Sequence, residues 1–309
     1  MHNLAPIGIS TYARLGHLKK TIHALRRNPL AKESDLYIFS DAPRPGDEKK
    51  VCAIRDFIIT VSGFKSVTII EREENNRVLN NRGGMRSLID QYGKMIWLEE
   101  DIVTSPSFLN FMNQALDVYA DNQDIISISG YCPPISIPKD YPYDVFILPR
   151  FCAWGFGIWK DRFDRIEMHL NRSEVYGTLA NPITLYKFTR GGWDLTQMVI
   201  GDAKGIIDAL DAKIIFHQYK WKLYTVYPTY SLIQNTGHDG SGIHCGSSDR
   251  FLVKLHDGQT INFQMPNSLQ LDPFIVKSNL RFRSGGWHRK LKILAISLKR
   301  LFSKKSIYT

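Results

Sequence analysis

The stretch "KMIWLEEDIVTSPSFLNFM", Lys94 to Met112, governs the reading of the whole chain. Lys94-Met95-Ile96-Trp97-Leu98 is an apolar run of strand length, and Glu99, Glu100 and Asp101 follow it directly. A helix is expected to open at Ser105-Pro106 and to carry Phe108, Met112, Leu116 and Tyr119 on one face. Three adjacent carboxylates repel one another, and a solvent-facing turn needs only one of them. The cluster therefore has three readings: a solvated acidic turn, carboxylates favoured by the dipole of the next helix, or a site for a divalent cation.

Upstream, short apolar runs alternate with amphipathic segments of helix length. Strands are expected at Pro6–Ser10, Asp35–Ser40 and Ser66–Glu71, and another at Ile125–Gly130. Helices are expected over "LGHLKKTIHALRR", where Leu18, Ile22 and Leu25 share a face, over about 46–60, and over Gly83–Tyr92. Such alternation predicts an α/β fold, a mostly parallel sheet with helices on both faces. Ligands of such sheets bind beyond the carboxyl ends of the strands. "STYAR", "SDAPR" and the acidic triplet all fall at those ends, which makes one cleft. From Tyr131 the rhythm changes, with Pro133, Pro134, Pro138 and Pro142 in close succession.

The net charge of +10 suggests nucleic acid until it is located. Residues 277–309 hold ten Lys and Arg and no acid, leaving 30 basic and 30 acidic residues in 1–276. A neutral body argues against a nucleic-acid-binding face. Within the basic end, Trp287 to Lys305 interleaves Leu291, Leu294, Ile296, Leu298, Leu301 and Phe302 with Lys and Arg. That pattern fits either a helix docked on the body or one lying on an anionic membrane surface. Cys52, Cys132, Cys152 and Cys245 show no zinc spacing and read as reduced thiols. The first residues lack a signal-peptide pattern, and no apolar run is long enough to span a bilayer. The expectation is a cytoplasmic protein, peripheral on the inner face of the plasma membrane.

The strand ending in three acids, followed by Ser105-Pro106-Ser107-Phe108-Leu109, resembles the "EDD–x–x–x–(S/A)P–x–F" segment of inverting GT-A-fold glycosyltransferases. The N-acetylglucosaminyltransferase I type and bacterial polysaccharide sugar transferases are the relatives it resembles. "PIGISTYARLGHLKKTIHAL" and "LYIFSDAPR" look like that family's first two strands. "CAWGFGIWKDRFD" resembles its "WGWATW" acceptor-side segment, and "NTGHDGSGIHCG" its "NxGxDxSGxH" segment. The resemblance runs over about residues 5–250.

It implies a nucleotide-sugar half over 1–130, an acceptor half over 131–276 and a basic amphipathic tail over 277–309. It also implies a metal-dependent inverting transfer, with Mn²⁺ or Mg²⁺, from a nucleotide-sugar donor, a UDP-sugar, to a glycan or lipid-linked glycan in bacterial surface polysaccharide assembly. By the same resemblance Asp101 and His244 hold the metal, while Arg14, Asp41, Glu99 and Glu100 line the nucleotide. Glu100 stands where the family usually has Asp. Asp194 in "GGWDL" is the expected general base, although Leu195 replaces a second acid; Asp239 and Asp202 are its alternatives. Trp154, Trp159 and Trp193 are expected to face the acceptor.

The chemistry is coherent, because a departing diphosphate needs a cation and the attacking hydroxyl needs a base. Two rivals exist. A sugar nucleotidyltransferase would need an early Gly-rich loop followed by Lys, which "ISTYARLGH" lacks. A peripheral membrane protein that binds nucleotide sugars without turning them over is the other.

Overall fold

The computed structural model describes residues 4–241 and 248–284, with Leu291 and Ala295 beyond them. The first half alternates as the sequence predicts. It runs β1 (Ile7–Thr11), α1 (Leu15–Arg26), β2 (Asp35–Ser40), α2 (Glu48–Ile58), β3 (Ser66–Glu71), α3 (Gly84–Tyr92) and β4 (Lys94–Glu99). After β4 come β5 (Ile102–Thr104), α4 (Phe108–Val118), β6 (Ile125–Ser129), β7 (Val145–Leu148) and β8 (Phe156–Trp159). The helices α5 (Lys160–Phe163), α6 (Arg172–Ala180), α7 (Pro182–Phe188), α8 (Leu195–Ala203) and α9 (Leu210–Trp221) follow. Then come β9 (Tyr224–Pro228), β10 (Ile233–Asn235) and α10 (Pro273–Ser284).

Among the described residues eight strands form one sheet in the order β3-β2-β1-β4-β8-β6-β9-β7. The contacts β3–β2, β2–β1, β1–β4 and β6–β9 are parallel, whereas β8 and β7 run against their neighbours. The chain is thus an α/β protein with a mixed, mostly parallel sheet and flanking helices. Parallel strands are buried on both faces, and β4 shows how its residues divide. Ile96 and Leu98 enter the core under α1, α2 and α4, while Met95 and Trp97 enter the core under α3, α8 and α9. Gly8 of β1 lies in register with Trp97. A Cβ there would stand 2.5 Å from the indole, so only glycine leaves room for that ring.

Three features depart from the sequence reading. The residues after Asp101 do not run straight into a helix: β5 forms an antiparallel pair with β10, joining Ile102 to Asn235 across the sequence. The helix then starts at Phe108, with Pro106 in the turn before it. Lastly, α10 crosses the expected boundary at Lys277. Its inward residues Ile275, Val276, Asn279 and Arg283 are buried, a spacing that gives one face of a helix. Residues 277–284 therefore belong to the body. The remaining tail, Trp287 to Lys305, lies outside the described residues apart from Leu291 and Ala295. No helix among the described residues is long and apolar enough to cross a membrane.

Candidate active site

The carboxyl ends of β2, β1 and β4 lie side by side, with Thr11 opposite Ser40 and Ser10 opposite Glu99. They open onto a cleft of about 590 Å³ lined by Arg14, Asp41, Glu99, Glu100, Asp101 and Gly237 among others. Arg44, Lys50 and Arg77 add positive charge to its wall.

Within the acidic triplet each carboxylate has a different environment. Glu100 is buried and accepts from Thr11 Oγ1 at 2.6 Å, Tyr12 N at 2.7 Å and Arg14 Nε at 2.7 Å. Its backbone carbonyl accepts from Thr21 Oγ1 of α1 at 2.7 Å. Of the three acidic side chains, Glu100 is thus the one held by the most donors. Asp101 is also buried, and its Oδ2 accepts from Arg14 Nη2 at 2.7 Å. Its Oδ1 is buried without a partner among the described residues. Burial opposes the charge on Arg14, but Asp101 and Glu100 outweigh it and hold the guanidinium above its ordinary range. Glu99 is pushed up to about 8 by desolvation, then by the charges of Asp101 and Asp211. One arginine among three acids leaves the cluster short of positive charge.

The β5–β10 pair brings a glycine-containing loop over these acids. Thr236 donates to the Asp101 carbonyl from its amide at 2.8 Å and from Oγ1 at 3.0 Å. His17 of α1 contacts Thr236 Oγ1 at 3.1 Å and Asp239 Oδ2 at 3.1 Å. Hydrogen bonds from Ser241, with His17 contributing less, hold Asp239 down at about 2, which makes it a poor proton acceptor. Gly237 packs directly on the Asp101 carboxylate. The next residue, His238, has a buried Nε2 without a partner among the described residues. Desolvation lowers its pKa, although Asp101 opposes that shift, so the neutral, metal-ligating form is favoured. His244, the expected ligand, lies outside the described residues. His238 belongs to the same "NTGHDGSGIH" segment.

Asp41 is buried at the end of β2. Its Oδ1 accepts from Ala42 N and Asn76 N, while Oδ2 accepts from Asn75 Nδ2 at 3.2 Å. It pins the 75–76 loop and keeps one lone pair of Oδ2 for a further donor.

On the acceptor side the expected residues separate. Trp159 is a core residue: it is buried in β8, its Nε1 donates to the Leu116 carbonyl at 3.0 Å, and the Arg162 guanidinium lies 4.5 Å above the ring. No face of it is left for a sugar. Trp154 is half-buried in an aromatic wall, with ring centroids 4.9 Å from Tyr131, 5.2 Å from His238 and 5.5 Å from Phe251. Trp193 is half-buried in the loop before α8.

Asp194 forms a bidentate pair with the buried Arg150, at 3.0 Å to Nη1 and 2.8 Å to Nη2. Desolvation would raise its pKa, but Arg150 prevails and lowers it. That setting suits a fixed counter-ion better than a proton acceptor. Asp202 is likewise committed, to the buried Lys213 at 2.6 Å and to Ala209 N at 2.8 Å. This brace fixes the start of α9, where sequence reasoning overlooked Asp211. Burial pushes Asp211 up to about 6, with Arg150 opposing. Its charge acts on Glu99 and helps to raise it.

No protein-family model and no curated protein matches this chain. Solved structures similar to it include a mannosyltransferase, PcManGT, from Pyrobaculum calidifontis, in complex with GDP-Man and Mn²⁺. That likeness has 10% identity and a TM-score of 0.39, over 69% of this chain and 68% of that one. LgtC, in the form of an active-site mutant, is similar at 10% identity and TM-score 0.38 over 72% of each chain. S. aureus TarS is similar at 8% identity and TM-score 0.35, over 53% of this chain and 30% of that one. These are partial likenesses of outline, and the functional reading rests on the site itself.

Proposed function

We propose that the protein is a metal-dependent inverting glycosyltransferase. It moves a sugar from a nucleotide donor, a UDP-sugar, to a glycan or lipid-linked glycan acceptor in surface polysaccharide assembly. The observation that carries the reading is the acidic turn at the end of β4. There Glu100 is fixed by three donors, and Asp101 keeps a buried Oδ1 without a partner among the described residues; the loop over it carries His238, whose Nε2 is likewise unpartnered and which feels the Asp101 charge.

A hard dication takes one or two carboxylates and completes its shell with phosphate and water oxygens. Among the described residues no three His, Cys, Asp or Glu side chains form a cage for a metal alone, and this chemistry does not require one. Asp101 and His238 would hold the ion, and an imidazole ligand favours Mn²⁺ over Mg²⁺. When bound, it supplies Lewis-acid stabilisation of the departing diphosphate.

The protein's own groups do the rest. Glu100 and Arg14 lock Asp101 in place. Arg44, Lys50 and Arg77 supply positive charge along the cleft for the diphosphate. Asp41 Oδ2 accepts from the imide N–H of a uracil ring. Asp211, rather than Asp194, takes the proton from the acceptor hydroxyl, since a carboxylate near 6 is ionised at neutral pH and still basic enough to work. Asp194 keeps Arg150 neutralised, and Trp154 and Trp193 flank the acceptor. Residues 287–305 bring the enzyme to an anionic membrane surface where a lipid-linked acceptor resides.

The test is calorimetry of UDP with and without Mn²⁺, on the native chain and Asp101→Ala. Metal-dependent binding that disappears in the variant is expected. Binding indifferent to both metal and Asp101 overturns the donor site. Binding without any sugar turnover would favour the non-enzymatic rival.

A further inference from the structure

We infer that Arg283, beside Arg150, forms an oxyanion site that receives a carboxylate or phosphate group of the acceptor. This rests on the assignment of the second half to the acceptor and narrows the acceptor to a negatively charged glycan.

Arg283 lies on the inward face of α10 with 6% of its surface exposed. Its guanidinium makes no hydrogen bond or ion pair with any described residue, and its Nε is buried without a partner. The undescribed segments contain no Asp or Glu, so no side-chain carboxylate can serve from there. The nearby acid, Asp194, is already committed to Arg150 through both oxygens. Desolvation, then Arg150, lowers the pKa of Arg283, and Asp194 only partly compensates. Two buried guanidinium groups thus share one carboxylate. Burying a charge without a partner is costly, so the arrangement is completed by an anion from outside.

The surroundings fix the orientation. Phe251 and Phe282 carry the guanidinium at 5.6 and 5.1 Å from their ring centroids, which leaves its planar donor edge as the recognising part. That edge matches carboxylate or phosphate oxygens. Arg250 holds the last turn of α10 through the carbonyls of Phe282 and Arg283. Asn279 Nδ2 donates to the Gly191 carbonyl at 3.2 Å, tying the helix to the loop that carries Asp194. Gly192 completes the junction. A Cβ there would collide with Asp194 Oδ1 and Arg150 Nη1 and press on Arg283 Cβ at 3.1 Å.

The experiment titrates inorganic phosphate, at ionic strength held constant with chloride, into the native chain, Arg283→Gln, Arg283→Lys and Asp101→Ala, by calorimetry. UDP with Mn²⁺ is titrated into the same proteins. Phosphate binding should survive in Asp101→Ala, fall by roughly tenfold or more in Arg283→Gln, and be partly kept in Arg283→Lys. UDP binding should be untouched by either change at Arg283. Phosphate affinity unchanged in Arg283→Gln overturns the site. Equal loss of UDP and phosphate assigns the anion to the donor diphosphate and overturns the acceptor assignment.

Thermal melts in chloride guard against a merely structural role. Arg283→Gln and Arg283→Met should melt no lower than the native chain, because an unpaired buried charge has been removed; a marked drop in both overturns the proposal. If UDP never binds while phosphate binding still needs Arg283, the donor reading falls and this site stands.

Discussion

Replacing Gly237 by Ala tests the acid cluster at its tightest point. An added Cβ would stand 2.1 Å from Asp101 Oδ2, 2.9 Å from its Cγ and 3.1 Å from Arg14 Nη1. Real Cβ contacts below 3.0 Å are essentially never seen, so the carboxylate or the loop must retreat by about 1 Å. Neither moves freely. Oδ2 is bonded to Arg14 Nη2 at 2.7 Å, and the loop is held to the Asp101 carbonyl by both donors of Thr236. A shift of that size stretches the Arg14–Asp101 bond past the useful range and misaims Oδ1. Overpacking of this kind costs about 1–3 kcal/mol of stability. A misplacement of about 1 Å at a catalytic group costs on the order of 100-fold in rate. Metal-dependent UDP affinity should therefore fall by about tenfold or more, as read by calorimetry, and the melting temperature should drop. Gly16→Ala is the control: nothing lies within 4 Å of that Cβ, and in α1 the change should stabilise by about 0.5–1 kcal/mol. UDP and Mn²⁺ binding within about twofold of native in Gly237→Ala, with an unchanged melt, would refute the reasoning.

The second half of the chain and its core supply three more tests. Asp211→Asn should abolish sugar transfer while leaving UDP binding intact, and the native kcat/KM should fall as pH drops below about 6. Its stability effect has the opposite sense to a salt-bridged acid. The folded pKa is raised, so the cost is absent below about 3.8 and grows to at most about 3 kcal/mol as pH rises through about 6; chemical denaturation of Asp211→Asn should show that cost gone at pH 8. Asp194→Asn strands the buried Arg150 and should destabilise by about 2–4 kcal/mol at neutral pH. The lowered pKa of Asp194 means its contribution is fully present above the ordinary carboxylate range and lost on acidification, so native and variant melts should converge in acid. Trp159→Ala should cost about 3–5 kcal/mol in denaturant titrations, as removal of a core aromatic, and should not change acceptor preference.

The elements and the acid site were readable because both are written locally. Alternating apolar runs set β1 to β4, and polar residues at strand ends fall into one cleft whenever parallel neighbours share a register. The three carboxylates raised the question of a missing cation, and the surroundings of Glu100 and Asp101 fit that question. What could not be read depends on distant partners. Trp159 and Trp154 belong to the same short motif, but only Trp159 finds the Leu116 carbonyl and Arg162 waiting inside the core. The β5–β10 pair joins segments about 130 residues apart, and nothing in "DIVTS" announces it.

The two carboxylates at the starts of α8 and α9 carry the same lesson into mechanism. "GGWDL" and "ALDAK" each place an Asp at the opening of a helix, and the resemblance points only to the first. On the proposed function Arg150 reverses the choice. From 44 positions upstream it takes both oxygens of Asp194, while desolvation pushes Asp211 up to about 6. Lys213, clamped between Asp202 and Asp208, fixes the turn on which Asp211 stands. On the proposed function the proton acceptor is the acid that Arg150 does not pair, and that is a property of packing. The same accounting applies to Arg283, whose buried Nε has no partner among the described residues. On the proposed reading, the free Oδ1 of Asp101 and the guanidinium of Arg283 are the two groups that await a ligand, a cation at the first and an anion at the second.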